Sequence, residues 1–241
     1  MRPHPIRIWW RDDDTETATP ALDRLLQLAR WHDLPLGLAV VPKRATPELA
    51  ARLAREPNVS VLQHGWSHRN HAPEGAKKME LGDHRPLDAV LGDLRQGFER
   101  LTALMSETFL PVLVPPWNRI SDSVREARKE IGLAGLSTFG PAPPGDPHLI
   151  NAHLDIFAWK PKRRTLDRAE AYAVLASEIE RRLAGDAEPL GILTHHLVHE
   201  EASWELLDEL FGMLAKHPAV AWPKVGELFG IKGPNRRHAR T

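Results

Sequence analysis

Short apolar runs alternate with proline-opened amphipathic stretches along almost the whole chain. Residues 6–10, IRIWW, form the first run. Its stop at Arg11-Asp12-Asp13-Asp14 reads as a buried strand delivering acids to its C-terminal end. Thr19-Pro20 gives an N-cap followed by proline at the first helical position, and Leu22, Leu25, Leu26 and Ala29 recur at helical spacing. Residues 36–41 make a second strand, Thr46-Pro47 opens a second capped helix, and residues 59–62 make a third strand that ends in Gln63-His64. Further helices are read over residues 87–105, 121–131, 165–183, 203–216 and 225–229. Further strands are read over 111–114, 135–138, 154–159, 191–194 and 220–222. Parallel neighbours need crossover connections, and helices make the simplest ones, so the alternation predicts a parallel sheet coated by helices. About seven or eight such strands predict an α/β fold closed, or nearly closed, into a barrel. The 241 residues suit one domain over residues 1–230, followed by a basic tail at 231–241 that is expected to be disordered.

Composition narrows the partners. The balance of 32 Lys and Arg against 32 Asp and Glu leaves no excess of positive charge for displacing counterions from phosphates, which argues against a nucleic-acid partner. No apolar run approaches the ~18 residues of a membrane span. The start, MRPHPIRIWW, lacks the basic-apolar-small order of a signal peptide, so a cytoplasmic location is the expectation. The absence of cysteine removes disulfides, thiolate zinc sites and cysteine nucleophiles together. Any metal must therefore sit on Asp, Glu or the 13 His.

Three polar clusters fall at expected strand C-termini: Asp12-Asp13-Asp14, His64-Gly65-Trp66-Ser67-His68 and His195-His196. In a barrel these ends converge on one face. His64 and His68, at i and i+4, project from one side of a helical turn and both reach one zinc-sized ion, with a carboxylate from another strand completing the set. Such a set leaves positions for water, which the metal acidifies toward neutral pH. Each cluster alone has an ordinary explanation, since Asp after a strand often caps a turn and an HxxxH pair arises by chance among 13 His. Their joint occurrence, each after an apolar strand, is what points to chemistry.

In this order the residues resemble the successive motifs of the polysaccharide deacetylases, carbohydrate esterase family 4 with its NodB-homology domain, over residues 6–229. In the family's TFDDG motif the first Asp is the catalytic base and the second binds metal. The resemblance thus makes Asp12 the base and Asp13 a ligand in WRDDD, while Asp14, standing where glycine is usual, leaves the register Asp13 with Asp14 open. The H-[ST]-x-x-H motif implies His64 and His68 as ligands, with Gly65 in place of the hydroxyl residue. The RPPY motif has its counterpart in Val114-Pro115-Pro116-Trp117, where Pro116 and Trp117 would line the groove and the Trp117 N–H would help hold the oxyanion. Val114 stands in place of the arginine that holds the catalytic Asp, so Arg11 or Arg119 is expected to compensate. The LxH motif fits Leu193-Thr194-His195 and implies His195 as general acid, with His196 the alternative, facing the opposite way if the strand continues. Asp155, to orient that histidine, and Trp159, as an apolar wall, are the counterparts in LDIFAW of the remaining motif.

The resemblance implies a distorted (β/α) barrel of about seven strands, in agreement with the alternation. It also implies a metal-dependent hydrolase that cleaves N-acetyl or O-acetyl groups from a small acetylated sugar or glycan, a linear-amide C–N hydrolase for the former. One divalent ion is expected, zinc first, with cobalt, manganese or nickel as alternatives. Trp66, Trp117 and Trp159 offer flat faces for a pyranose ring. The polar stretch 68–78, HRNHAPEGAKK, reads as a substrate loop in which Lys77 or Lys78 meets an acidic group, or more plainly as a solvated loop. Two other functions use the same barrel: an amidase acting on a non-sugar amide or cyclic imide, and a degenerate barrel that only binds glycans.

Overall fold

The computed structural model describes residues 5–231. In chain order the first half comprises β1 (Ile6–Thr15), α1 (Pro20–Trp31), β2 (Leu36–Val40), α2 (Pro47–Leu53), β3 (Val59–His64), α3 (Leu87–Met105), β4 (Phe109–Val114) and α4 (Asp122–Ala127). The second half comprises β5 (Gly135–Leu136), β6 (Leu154–Asp155), β7 (Phe157–Ala158), β8 (Arg164–Thr165), α5 (Arg168–Leu183), β9 (Leu190–Thr194), α6 (Glu201–Leu214), β10 (Val220–Ala221) and α7 (Val225–Leu228). Thr19 accepts from Leu22 N and Thr46 from Leu49 N, the two caps that the Thr-Pro pairs predict, while Ser121 caps α4 and Asp167 forms a reciprocal capping box with Glu170 at the start of α5.

The main sheet runs β5-β4-β3-β2-β1-β9-β6, with every pair parallel, and β10 joins the start of β1. This is the distorted (β/α) barrel with about seven strands that the resemblance implies, in agreement with the α/β barrel of seven or eight strands that the alternation predicts. The seam between β5 and β6 is bridged by irregular backbone rather than by a strand. Leu136 N donates to His148 O at 3.0 Å, Ile150 N to Leu136 O at 3.1 Å, Ala152 N to Thr138 O at 3.0 Å, and His153 N to Gly191 O at 2.7 Å.

Two apolar clusters follow from the period-two alternation of the strands. Ile8, Trp10, Leu38 and Val61 face outward and pack with the helices. Trp9, Ala39, Leu62, Val112 and Val114 face inward and fill the barrel. The lower end is closed by Val225 and Leu228 of α7 and by Phe229, whose ring meets Trp9 edge-on at 5.6 Å.

Several boundaries differ from expectation. β1 does not stop at Arg11 but continues through all three aspartates to Thr15, because parallel partners persist on both sides: Asp12 registers with Leu38 and Thr194. The run 154–159 splits into β6 and β7, and β7 pairs antiparallel with β8, which moves the start of α5 to Arg168. Ile231 packs against the inner cluster, and the remainder of the expected tail, 232–241, lies outside the described residues. Among the described residues no helix is long and apolar enough to cross a membrane.

Candidate active site and metal centre

Alternation along β1 sorts its charged residues. Asp12 follows Trp10 onto the outer face, while Arg11 and Asp13 follow Trp9 into the barrel. Asp12 is fully buried and its acceptors are taken: Oδ2 receives the Thr194 hydroxyl at 2.6 Å and the His196 N–H at 2.9 Å, and Oδ1 meets His196 Nδ1 at 2.5 Å. Burial pushes its carboxyl up, but the His196 ring and these hydrogen bonds outweigh it and hold the pKa below the usual carboxylate range. His196 thus faces away from the barrel interior.

Arg11, fully buried, holds Asp13. Nη2 donates to Asp13 Oδ2 at 3.0 Å, and Nε lies 2.9 Å from Oδ1 as an ion pair out of line for a hydrogen bond. The rest of the guanidinium is fixed by Asn118 Oδ1 at 2.6 Å, Ser137 Oγ at 2.7 Å and the Thr138 carbonyl at 3.0 Å. Of the two arginines expected to replace the one missing at Val114, Arg11 is therefore the one on Asp13. Arg119 instead donates to the Lys78 carbonyl at 2.8 Å.

Asp14 has φ 70, a left-handed conformation that Asp tolerates better than most residues. This turn ends the alternation and brings Oδ1 to 3.0 Å from His64 Nε2 and 3.2 Å from His68 Nε2. The three ligand atoms lie within 4.8 Å of one another. The structure thus brings Asp14, not Asp13, to the two histidines, and Arg11 to Asp13, not to Asp12. This geometry corresponds to the second of the two registers left open by the sequence.

The fit of these residues to a metal rests on the protons. His64 Nδ1 is 3.0 Å from the Val114 carbonyl, to which it donates. In the neutral ring Nε2 is then a lone pair aimed at a carboxylate oxygen, an arrangement that a shared cation relieves. Without one, burial lowers the His64 pKa while the Asp14 carboxylate raises it, with a net rise. Asp14 itself is pushed up by burial and held far down by its hydrogen bonds to both rings.

His64 and His68 do not share a helical turn. Gly65 at φ 54 and His68 at φ 56 make an irregular loop after β3. Glu80, 1% exposed, organises that loop by accepting from Trp66 N at 3.2 Å, Ser67 N at 2.8 Å and Ser67 Oγ at 3.0 Å. A Cβ on Gly65 would lie 2.1 Å from Glu80 Oε2 and 2.8 Å from the Pro116 ring. Gly65 is therefore required where the resembling motif has a hydroxyl, because Glu80 fills that space. Trp66 contributes its backbone here, donating to Glu80 and accepting from Lys43 N at 3.0 Å. Trp117, also at positive φ, packs its ring on His68 at 4.4 Å.

Across the mouth, His195 follows β9 and sits edge-on to Trp159 at 4.8 Å. Asp155 accepts from Trp159 Nε1 at 2.7 Å and from Phe157 N at 3.0 Å. Burial raises the Asp155 pKa, the charge on His195 opposes that rise, and Asp13 adds to it, so these groups share one electrostatic field. His195 also acts on Asp14. The sequence-read residues at all three strand ends therefore converge, except Asp12 and His196, which pair behind the wall. Glu80 and Asn118 were not read from sequence. Glu80 carries no local motif, and Asn118 shows only as a polar residue after two prolines.

Neither a protein-family model nor a curated protein matches the sequence. Solved structures do. A Mycobacterium smegmatis protein called a polysaccharide deacetylase superposes with a TM-score of 0.68 at 15% identity, covering 100% of this chain and 99% of its own. This is the fold of the family 4 carbohydrate esterases. A family 4 acetyl xylan esterase from Clostridium thermocellum, in complex with a cobalt ion, gives 0.61 at 16% identity over 95% of this chain and 94% of its own. The Bacillus subtilis peptidoglycan deacetylase PdaC gives 0.59 at 16% identity over 95% and 92%. The likeness to these esterases lies in architecture and spans nearly the whole chain, and the triad of Asp14, His64 and His68 lies at the strand C-termini of that esterase-type barrel.

Proposed function

We propose that this chain is a divalent-metal-dependent deacetylase that removes N-acetyl or O-acetyl groups from a carbohydrate or sugar-containing substrate. The observation that carries the reading is the meeting of Asp14 Oδ1 with the two histidine Nε2 atoms at the mouth of an esterase-type barrel. Asp14, His64 and His68 would hold one ion, zinc first, with cobalt, manganese or nickel as alternatives, and the ion supplies Lewis acidity to an acyl carbonyl and to water.

In this reading Asp13 is the base. Its carboxylate, oriented by the buried Arg11, takes a proton from water as the water oxygen bonds to the acyl carbon. Trp117 is the first residue after β4 and its two prolines with an N–H, and that N–H is assigned to the developing oxyanion. His195, edge-on to the Trp159 ring that Asp155 holds, gives a proton to the leaving nitrogen or oxygen as the C–N or C–O bond breaks. Acetate and the free amine or hydroxyl result. The rings of Trp117 and Trp159 bracket the mouth and offer faces to a pyranose. A barrel that only bound glycans would not need the Arg11 clamp on Asp13.

The test is metal content and acetate release measured together. The wild type is expected to bind about one zinc per chain and to release acetate from N-acetylglucosamine monomers or oligomers. The double variant His64→Ala, His68→Ala should lose both. A wild type that stays metal-free in zinc, cobalt and manganese overturns the reading.

A further inference from the structure

The loop that carries His68 also walls a cleft that the proposed reaction leaves unused. The cleft, of about 570 Å³, is lined by Lys43, Arg44, Ser67, His68, Arg69 and Asn70. One wall is thus a residue of the metal set, and the volume suits a ligand of sugar size. No carboxylate lines it.

The three cations differ in their freedom. Arg44 is held by Glu16, with Nη1 at 2.9 and 2.7 Å from the two carboxylate oxygens. Lys43 and Arg69 are exposed and, among the described residues, neither has a carboxylate within ion-pair distance. Their backbones are nevertheless anchored. Lys43 N donates to the Trp66 carbonyl at 3.0 Å, and the turn that bears it is pinned by Arg100, which donates to the carbonyls of Pro42 at 2.8 Å and Ala45 at 2.7 Å. Arg69 leaves the segment that the buried Glu80 carboxylate gathers through Ser67 N at 2.8 Å. Two unpaired cations on anchored backbone thus line one cleft beside His68, in a chain with equal numbers of acidic and basic residues. A further cation, Lys78, has its Nζ 5.9 Å over the Trp117 ring that packs on His68.

We propose that this cleft is an anion subsite that receives a phosphate or carboxylate group carried by the acetylated sugar. The proposal rests on the deacetylase reading only for what happens at the neighbouring acyl group. Arg69 supplies a planar fork and Lys43 a point charge, the pairing that grips an oxyanion from two directions.

The full-length, zinc-loaded protein is titrated calorimetrically with N-acetylglucosamine, with N-acetylglucosamine 1-phosphate and with a glucuronic acid–N-acetylglucosamine disaccharide. At least one charged sugar is expected to bind about tenfold tighter than the neutral one, and which of the two does so identifies the anion. That advantage should fall to within about threefold in Lys43→Ala, Arg69→Ala and should shrink as salt is raised. Both side chains are exposed, so the variant keeps its fold. Equal affinity for all three sugars, or an undiminished advantage in the double variant, overturns the subsite. Acetate release is followed on the same samples. A charged sugar that binds in this pattern but yields no acetate keeps the subsite and removes the deacetylase reading, whereas acetate release with equal affinities does the reverse.

Discussion

The outer face of β1 carries Ile8, Trp10 and Asp12 into the helix layer, and its inner face carries Trp9, Arg11 and Asp13 into the barrel. Both faces bury a carboxylate, Asp12 at 0% and Asp13 at 2% exposure. Their surroundings differ in capacity. Asp12 accepts from the Thr194 hydroxyl and from the backbone and ring of His196, so it ties β1 to the turn after β9. Among the described residues Asp13 has one hydrogen-bond and ion-pair partner, Arg11, and retains lone pairs for a further donor. Burial alone therefore does not separate a structural acid from a reactive one. Spare acceptor capacity beside a fixed cation does.

The largest expected effect is on the inner face. Asp13→Asn should lower acetate release by about a thousandfold while zinc content, assigned in the proposed function to Asp14, His64 and His68, stays unchanged in elemental analysis. If turnover survives in Asp13→Asn and is lost in Asp12→Asn, the assignment of the two faces is reversed. Arg11→Met leaves a buried carboxylate without its cation, and urea unfolding should record a loss of about 3–5 kcal/mol. Arg11→Lys, a point charge without the fork, should recover only part of it. On the outer face, Asp12→Ala strips acceptors from Thr194 and His196 and should cost about 3 kcal/mol in the same assay. Acetate release per folded molecule should then fall by less than about tenfold, because proton transfer is not assigned to this face.

The contrast extends to β3, where a buried acid serves the loop rather than the reaction. Gly65→Ala drives a Cβ into Glu80 Oε2, and zinc affinity measured by competition with a chelator should weaken about tenfold. Adding Glu80→Ala to Gly65→Ser should not recover that affinity, because the Pro116 ring still lies 2.8 Å from the Cβ position, φ stays at 54, and the loop loses its acceptor. The smallest effect is expected from Thr194→Val, which removes the hydroxyl between Trp10 Nε1 and Asp12 and should cost about 1 kcal/mol in unfolding.

Much of the barrel was legible because its signals are local. The Thr-Pro openings of α1 and α2 and the helical period of α3 act within a few residues, and the short β-branched runs allow little besides buried parallel strands. The register of the acids was also latent in IRIWWRDDD. Running the strand on through Arg11 places Arg11 and Asp13 with Trp9, and Asp12 with Trp10. A strand bearing four charged residues in a row reads as ended, and only the parallel partners on both flanks show that it continues. The positive φ of Asp14 has no such trace, since Asp tolerates that region without requiring it. His64 and His68 were legible as a pair but not as a loop, because Glu80, which shapes the loop, is distant in sequence and carries no pattern of its own. The break between β6 and β7 was hidden in the run 154–159, apolar except for Asp155, which admits one strand as readily as two.

The pairing of β1 with β9 bears on how the chain is made. β1 is translated before the strands on either side of it, yet the Trp10 indole finds its acceptor on Thr194, 184 residues later, and the start of β1 pairs with β10 later still. Such distant parallel contacts are slow to close. During synthesis β1 can align with β2 and β3, but one edge stays bare until residues 190–194 emerge. For that interval two tryptophans and three carboxylates border an unpaired strand edge, the kind of surface that invites misassociation. The aspartate triplet at its end adds like charge to that edge. Like charge at such an edge opposes pairing with a neighbouring chain until the chain's own last strands arrive.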